Sequence, residues 1–469
     1  MLLLLVLLVI VGGAAGYYVY HKSQTSHSAT APAKKQSVTL YYDDGKTILW
    51  QNTNPSVDKG SDPQKAPYFT NAVRAQLLKN LGATYYQRGE WKIVTNLNAA
   101  AQAAAEKQVA ANALNVKKQG GDTQAVVVEK PNGAIVALVG GTDYNDATFG
   151  KLNYATDVKM QPGTSILPLV YASLLDQSTN YGAGTKVSDV QKPLPGYYPC
   201  TNATSATLSN CLMDDDRQYP GDMSLRYALG GLRNVPAIDA TSTLGVQKVI
   251  DRINTMGADY NCYQVGGYLK TKATCYQAAL LGEGAYLTLA DEANAYAVLA
   301  NGGNGRSSSF VKFVTLNGKE QQYYPDVLNQ PLRHDTAYII NDIMSDPNPS
   351  RLPASDKFQH DNGWKFGLSD GVTNGGFELS AVSWSTQYVV ATMVTEHTET
   401  HSLAGFPETV TLPVVRSLME TLHAGKHPVD WMKPSDVQTL PAFVTQVHVG
   451  GGSVEPSPST DLYPKWYKP

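Results

Sequence analysis

Apolar and polar positions change period several times along this chain, and each change marks an element. Val38-Thr39-Leu40-Tyr41-Tyr42 and Thr47-Ile48-Leu49-Trp50 alternate around Asp43-Asp44-Gly45-Lys46, which predicts a hairpin with a polar turn. From Ala66 to Asn115 the period lengthens. Phe69, Val73, Leu77 and Leu78 recur at helical spacing, as do the alanines and Val109 between Asn98 and Leu114, with the short strand Trp91-Lys92-Ile93-Val94-Thr95 between the two helices. A second hairpin is expected where Ala125 to Glu129 and Ala134 to Gly141 flank Lys130-Pro131-Asn132-Gly133, and a strand at Tyr388 to Val394. Beyond Leu422 proline and glycine accumulate. A short strand is expected at Phe443 to Val447, and the aromatic end from Tyr463 to Tyr467 leaves surface docking and disorder both open.

These periods alone predict a mixed α and β molecule. Its 469 residues exceed one ordinary core, so two or three units plus tails are expected. Leu2 to Tyr20 carries no charged side chain, and about 19 helical residues span roughly 28 Å, close to one hydrocarbon core. A single anchor over residues 1–21 is the first reading. A cleaved signal peptide is the rival, because Gly12-Gly13-Ala14-Ala15-Gly16 supplies small residues after an apolar run. Either way the bulk of the chain is expected outside the cytoplasm. A flexible linker follows at 22–36, then a small pedestal region at 37–123, the main domain at 124–425, and a partly disordered C-terminal extension at 426–469.

Charged residues make up 16% and the net charge is -3, which gives no sign of a nucleic-acid or anionic-membrane partner. Tyrosines outnumber phenylalanines 28 to 9, a balance suited to wet, extracellular surfaces. Four cysteines permit three connectivities. Two local staples, Cys200 with Cys211 and Cys262 with Cys275, are the simplest in an oxidising compartment. No zinc set accompanies them, and His397 and His401, although spaced His-x-x-x-His, fall in an expected loop, so neither a metal nor another cofactor is predicted. Asn202-Ala203-Thr204 is a formal glycosylation sequon, and Asp214-Asp215-Asp216 reads as a solvated acidic turn.

Motifs then appear in order. Pro162-Gly163-Thr164-Ser165-Ile166-Leu167-Pro168 resembles the Pro-Gly-Ser-Ser-Phe-Lys-Pro helix start of penicillin-binding transpeptidases. Leu225-Arg226-Tyr227-Ala228-Leu229 with Asn234-Val235-Pro236-Ala237, and Leu281-Gly282-Glu283-Gly284 through Ala300-Asn301-Gly302-Gly303, match later segments. Pro67-Tyr68-Phe69 and Asn98, Gln102 and Glu106 resemble the approach to that domain. Over about 340 residues the chain is similar to the transpeptidase domain of class A penicillin-binding proteins. The resemblance implies an α+β, β-lactamase-like fold: an antiparallel sheet flanked by helices, preceded by the small α/β linker region and the transmembrane helix. The glycosyltransferase domain of that family would lie upstream, and it is not expected within the residues before the pedestal.

The family uses three motifs, and here each is degenerate. Ser-x-x-Lys reads Thr164 to Leu167, so the base that would take the nucleophile's proton is an alkyl group; losing a general base typically removes 10²- to 10⁴-fold of rate. Lys159 sits on the approach to the helix, away from the inner face. Ser-x-Asn reads Leu232-Arg233-Asn234, and Lys-Thr-Gly-Thr is matched to Lys365-Phe366-Gly367-Leu368. Leu167, Leu232 and Leu368 are expected to converge where the reactive carbonyl would sit. Thr164, Asn234, Lys365, Gly367 and Leu368 remain as ligand-binding candidates, with backbone N–H groups of Thr164 and Leu368 as an oxyanion hole. Lys365 is expected to be paired or turned to solvent. The leading expectation is an extracytoplasmic pseudo-transpeptidase that binds peptidoglycan or a wall-synthesis protein. An active D,D-transpeptidase or carboxypeptidase with Thr164 as nucleophile, and an envelope adhesion protein, are the alternatives.

Overall fold

The computed structural model describes residues 36–53, 65–197, 211–214, 216–264, 271–323, 327–328, 330–349, 363–398, 401–444 and 458–469. The expected anchor and linker therefore lie outside the described residues, as do the sequon and Cys200 with the pair it would form. Among the described residues no helix is long and apolar enough to cross a membrane.

Two five-stranded sheets organise the molecule. The central one is antiparallel throughout, in the spatial order Gly367–Val372, Glu378–Trp384, Val389–Thr395, Thr123–Glu129, Ile135–Val139. Its strands are buried on both faces, so their sequences read as nearly continuous apolar runs. Strict alternation assigns each residue a side. Val127, Leu138, Val382 and Trp384 meet one hydrophobic cluster with the helix Leu167–Gln177, whereas Val126, Val136, Ala381 and Val390 meet another beneath Leu412–His423.

The second sheet contains the expected first hairpin, Ser37–Tyr41 with Ile48–Asn52, and Glu90–Thr95 beside it in parallel. It is not contiguous in sequence. Val311–Leu316 and Lys319–Gln321, from well inside the main segment, complete it. Local chemistry sets the flanking helices: Pro67 opens Pro67–Leu81 where its missing N–H costs nothing, and Asn98 caps Ala99–Lys118 by accepting from the Ala101 N–H at 3.0 Å. Thr288 and Asp291 form a reciprocal capping box at the head of Leu289–Ala300, the buried helix under the central sheet.

At the C-terminus the expected strand at Phe443 to Val447 is displaced. Phe443 and Val444 are irregular, Thr445 to Val447 lie outside the described residues, and the strand is Val437–Pro441, paired with Thr460–Pro464. This hairpin is packed on the body: Tyr463 is 3% exposed, and the Trp466 indole donates to Asp335 at 2.9 Å. Cys262 and Cys275 are joined, as expected.

Candidate functional site

The turn that carries the first motif is a 3-10 helix, Gly163–Ile166, running directly into the helix Leu167–Gln177. Four contacts clamp it to its surroundings. The Thr164 hydroxyl donates to the Asp370 carbonyl at 3.2 Å, Ser369 Oγ to the Ser165 carbonyl at 3.2 Å, Ser380 Oγ to the Pro162 carbonyl at 2.7 Å, and the Gly163 N–H to the Gly282 carbonyl at 3.3 Å. The approach is close enough to exclude side chains. A Cβ on Gly371 would lie 2.5 Å from Pro162 O, and one on Gly163, whose φ is +62°, would lie 2.6 Å from Val372 O.

Leu167 is fully buried in the cluster on this side of the sheet. Leu232 lies in the same cluster, with φ 48° after two glycines. Leu368 does not join them. Its side chain packs with the cluster on the opposite face, because residues 367, 369 and 371 point toward the turn and 368, 370 and 372 away from it. The expected convergence of three leucines therefore fails at Leu368, and strand parity is the reason.

Position along the strand, rather than parity, sets the close approach. The stretch of edge strand against the turn is Ser369 to Val372, four residues beyond Lys365 to Leu368. Gly367 instead faces Trp384, 2.2 Å from where its Cβ would be. Lys365 is paired with Asp430 at 2.6 Å, a bond that raises the amine above its usual range. Asn234 turns to the distant Met213 to Asp214 segment, donating from Nδ2 to the Met213 carbonyl at 2.9 Å, while its Oδ1 is buried without a partner. Lys159 is held by Asp259 and, at 2.8 Å, by the Tyr263 hydroxyl. Arg233, between Leu232 and Asn234, sits in a cage of Asp189, Asp214 and Asp216. That corrects the reading of Asp214 as solvated: its side chain is 3% exposed, because the buried guanidinium needs a counter-charge.

Three residues that sequence reasoning missed surround the turn. Ser165 donates to Glu292 Oε1 at 2.6 Å, and the Tyr296 hydroxyl donates to the Ser165 carbonyl. Glu292 is completely buried, which pushes its carboxyl up to about 7. Glu283, whose side chain accepts the Asn374 N–H, is likewise pushed up to about 7 by burial. A carboxylate pair, Asp291 and Glu292, at the head of the largely apolar run Leu289 to Ala300 was the available signal, with Asp291 accounted for by the cap. The histidines diverge: His397 stacks on Phe149 at 4.1 Å and lies 3.4 Å from Asp122, whereas His401 Nε2 faces the Gly120 carbonyl at 3.1 Å. Among the described residues no group of His, Cys, Asp and Glu could hold a metal ion.

An edge strand of an antiparallel sheet pressed onto the turn at a helix start is the arrangement of penicillin-binding transpeptidases, and similarity to known proteins agrees with it. The chain is similar to penicillin-binding protein 1A of Streptococcus pneumoniae, 24% identical over 335 residues covering 68% of this chain and 44% of that one. It is 33% identical to penicillin-binding protein 1A of Neisseria lactamica over 231 residues, 47% of this chain and 26% of that one. Its fold matches the crystal structure of penicillin-binding protein 1A from Haemophilus influenzae with TM-score 0.66 at 17% identity, covering 86% of this chain and 77% of the other. PonA1 of Mycobacterium tuberculosis, solved in complex with penicillin V, aligns with TM-score 0.61 at 20% identity over 78% and 95%. No family model matches. The chain spans less than half the length of the curated relatives it matches first. In sequence and in mixed α+β fold it is therefore similar to part of penicillin-binding protein 1A.

Proposed function

We propose that this chain is an extracytoplasmic pseudo-transpeptidase, which binds peptidoglycan or a wall-synthesis protein and transfers no acyl group. One observation carries the reading: the Thr164 hydroxyl spends its proton on the carbonyl oxygen of Asp370, with a fully buried leucine at the base position. A neutral amide oxygen accepts a hydrogen bond but does not take up a proton near neutral pH, so Thr164 has no route to an alkoxide. Lys159 and Lys365 are engaged elsewhere, with Asp259 and with Asp430.

In this reading the third motif corresponds to Ser369-Asp370-Gly371-Val372 rather than to Lys365-Phe366-Gly367-Leu368. The contact of Ser369 with Ser165, and the small residue at Gly371, support that register. Only the glycine of the pattern is then kept. The charge-free run from Leu2 to Tyr20 supports a single membrane anchor, and the resemblance to penicillin-binding proteins supports a cell-wall setting.

Incubation with a fluorescent penicillin, followed by denaturing gel electrophoresis, tests the reading. No covalent band is expected, while sedimentation with insoluble peptidoglycan retains the protein. A stable ester mapped to Thr164 would overturn the proposal in favour of an active acyltransferase. Loss of sedimentation without labelling would favour the adhesion alternative.

A further inference from the structure

The cage around Arg233 contains more negative charge than its one cation can balance. The buried guanidinium donates from Nε to Asp189 Oδ2 at 2.6 Å, from Nη1 to Asp216 Oδ2 at 2.6 Å and from Nη2 to the Gln218 carbonyl at 2.8 Å. Asp216 is 33% exposed, so water shares its charge. Asp189 and Asp214 are closed off, with side chains 0% and 3% exposed, and a single guanidinium stands against both. Two buried carboxylates beside one cation leave a negative charge unanswered, which is costly away from water.

The oxygens left over show how that charge is relieved. Asp189 Oδ2 is taken by Arg233, and Asp214 Oδ1 by the Asn234 N–H. Asp189 Oδ1 and Asp214 Oδ2 are buried without a hydrogen bond, although the second lies 3.0 Å from the guanidinium. The two carboxyls are hydrogen-bond neighbours, so one proton between them satisfies both oxygens and removes the excess charge. Burial accordingly holds both above the ordinary aspartate range, against the opposing pull of Arg233. Two further groups face the pair. Tyr171, on Leu167–Gln177, has a buried hydroxyl with no partner, and Tyr219 donates to the Leu212 carbonyl at 2.7 Å; burial and the neighbouring carboxyls push both phenols up, so neither is charged near neutral pH.

Asp214 is also a fastening point for the second motif. Its backbone carbonyl accepts the Arg217 N–H at 2.8 Å, its carboxyl holds the Asn234 N–H, and the Met213 carbonyl beside it holds Asn234 Nδ2. We infer that Asp189 and Asp214 share one proton and form a pH-sensitive latch: with the proton in place Met213 and Asp214 stay fastened to Asn234, and with both carboxyls ionised they separate and free the Asn234 amide. The closed form holds the proton more tightly than the open one, so closure is complete at low pH and weakens as pH rises toward the value at which the closed pair ionises. The latch does not rest on the reading of Thr164.

Hydrogen–deuterium exchange of the whole chain from pH 5 to pH 8, corrected for the intrinsic pH dependence of amide exchange, reads the latch at the Arg217 and Asn234 amides, which both donate to Asp214. Protection there is expected to fall by about tenfold per pH unit, the value for release of one proton on opening, and to stay below that of the core strand Val389–Thr395. Asp189→Asn keeps an acceptor for Arg233 and gives Asp214 Oδ2 an N–H that does not titrate, so it is expected to flatten the fall. Asp214→Asn does the same from the other side and serves if the first variant loses its native circular dichroism. Asp216→Asn, outside the pair, is expected to keep the wild-type fall. Four results would each overturn the assignment: protection that does not change with pH in the wild type, protection at Asn234 equal to that of the core strand, an undiminished fall in a folded Asp189→Asn or Asp214→Asn chain, or a fall abolished by Asp216→Asn.

Discussion

Leu167 and Glu292 exchange the polarity expected of their places. At Leu167 an amine of the family's pattern is replaced by an alkyl group that joins the core. At Glu292 a carboxyl stands in an apolar helix and takes the Ser165 hydroxyl. The burial of Glu292 has a consequence for pH. Its carboxyl is held at about 7 in the fold against an ordinary value of 4.5, so between those values the folded chain binds more protons than the unfolded one. Stability is then highest at or below the ordinary value and falls as pH rises through the folded one, by about 3 kcal/mol for this group. Glu129, pushed up to about 8, adds a fall in the same direction. Thermal midpoints measured from pH 5 to pH 8 should decline, and Glu292→Gln, which keeps an acceptor for Ser165 but cannot titrate, should flatten the slope below pH 7. An unchanged slope in that variant would show that Glu292 is not the titrating group.

At the scale of elements, the turn Gly163–Ile166 and the edge strand Gly367–Val372 behave as one unit, because glycine on each side lets backbone meet backbone. Gly163→Ala would introduce a left-handed non-glycine residue and a methyl 2.6 Å from Val372 O. The two penalties together are about 2–4 kcal/mol. Gly284, also at positive φ but with nothing within 4 Å of a Cβ, provides the control, at about 1 kcal/mol for Gly284→Ala. Urea midpoints of the two variants separate the clash from the backbone term. The hairpins and helices themselves were legible: the Asp43 to Lys46 turn, the Pro67 start and the Asn98 cap all fall where their chemistry places them. Which part of this strand meets the turn was not, since Gly367 and Gly371 lie on one strand face and only the packing of residues 369–372 against the turn separates them.

For the whole molecule, the C-terminal hairpin is a strap pinned by one arginine. Arg226, the arginine of the Leu225-Arg226-Tyr227-Ala228-Leu229 segment, meets Asp461 at 2.7 Å, Asp342 at 2.6 Å and Asp346 at 3.2 Å, and its side chain is 6% exposed. Removing one partner of a buried pair leaves the other charge uncompensated, at a cost of about 3–5 kcal/mol. Arg226→Ala should therefore destabilise the fold by that amount in urea denaturation. It should also speed proteolytic cleavage between Ala442 and Ser459, where the strap would be released. Cleavage at the wild-type rate would mean that Tyr463 and Trp466 hold the strap without the ion cluster.

The sequence by itself determined the elements, the α+β class and the likeness to penicillin-binding transpeptidases, because period, caps and turn residues act over a few positions and are written in order. It also determined that residue 167, which the resemblance matches to the family's lysine, is an alkyl side chain. Only the tertiary structure decided which strand residues face Thr164, that Leu368 points away, that Asp214 is buried against Arg233, and that 311–321 completes the N-terminal sheet. Those facts depend on register and on partners distant in the chain, and a one-residue change of register moves every side chain to the other face of the sheet.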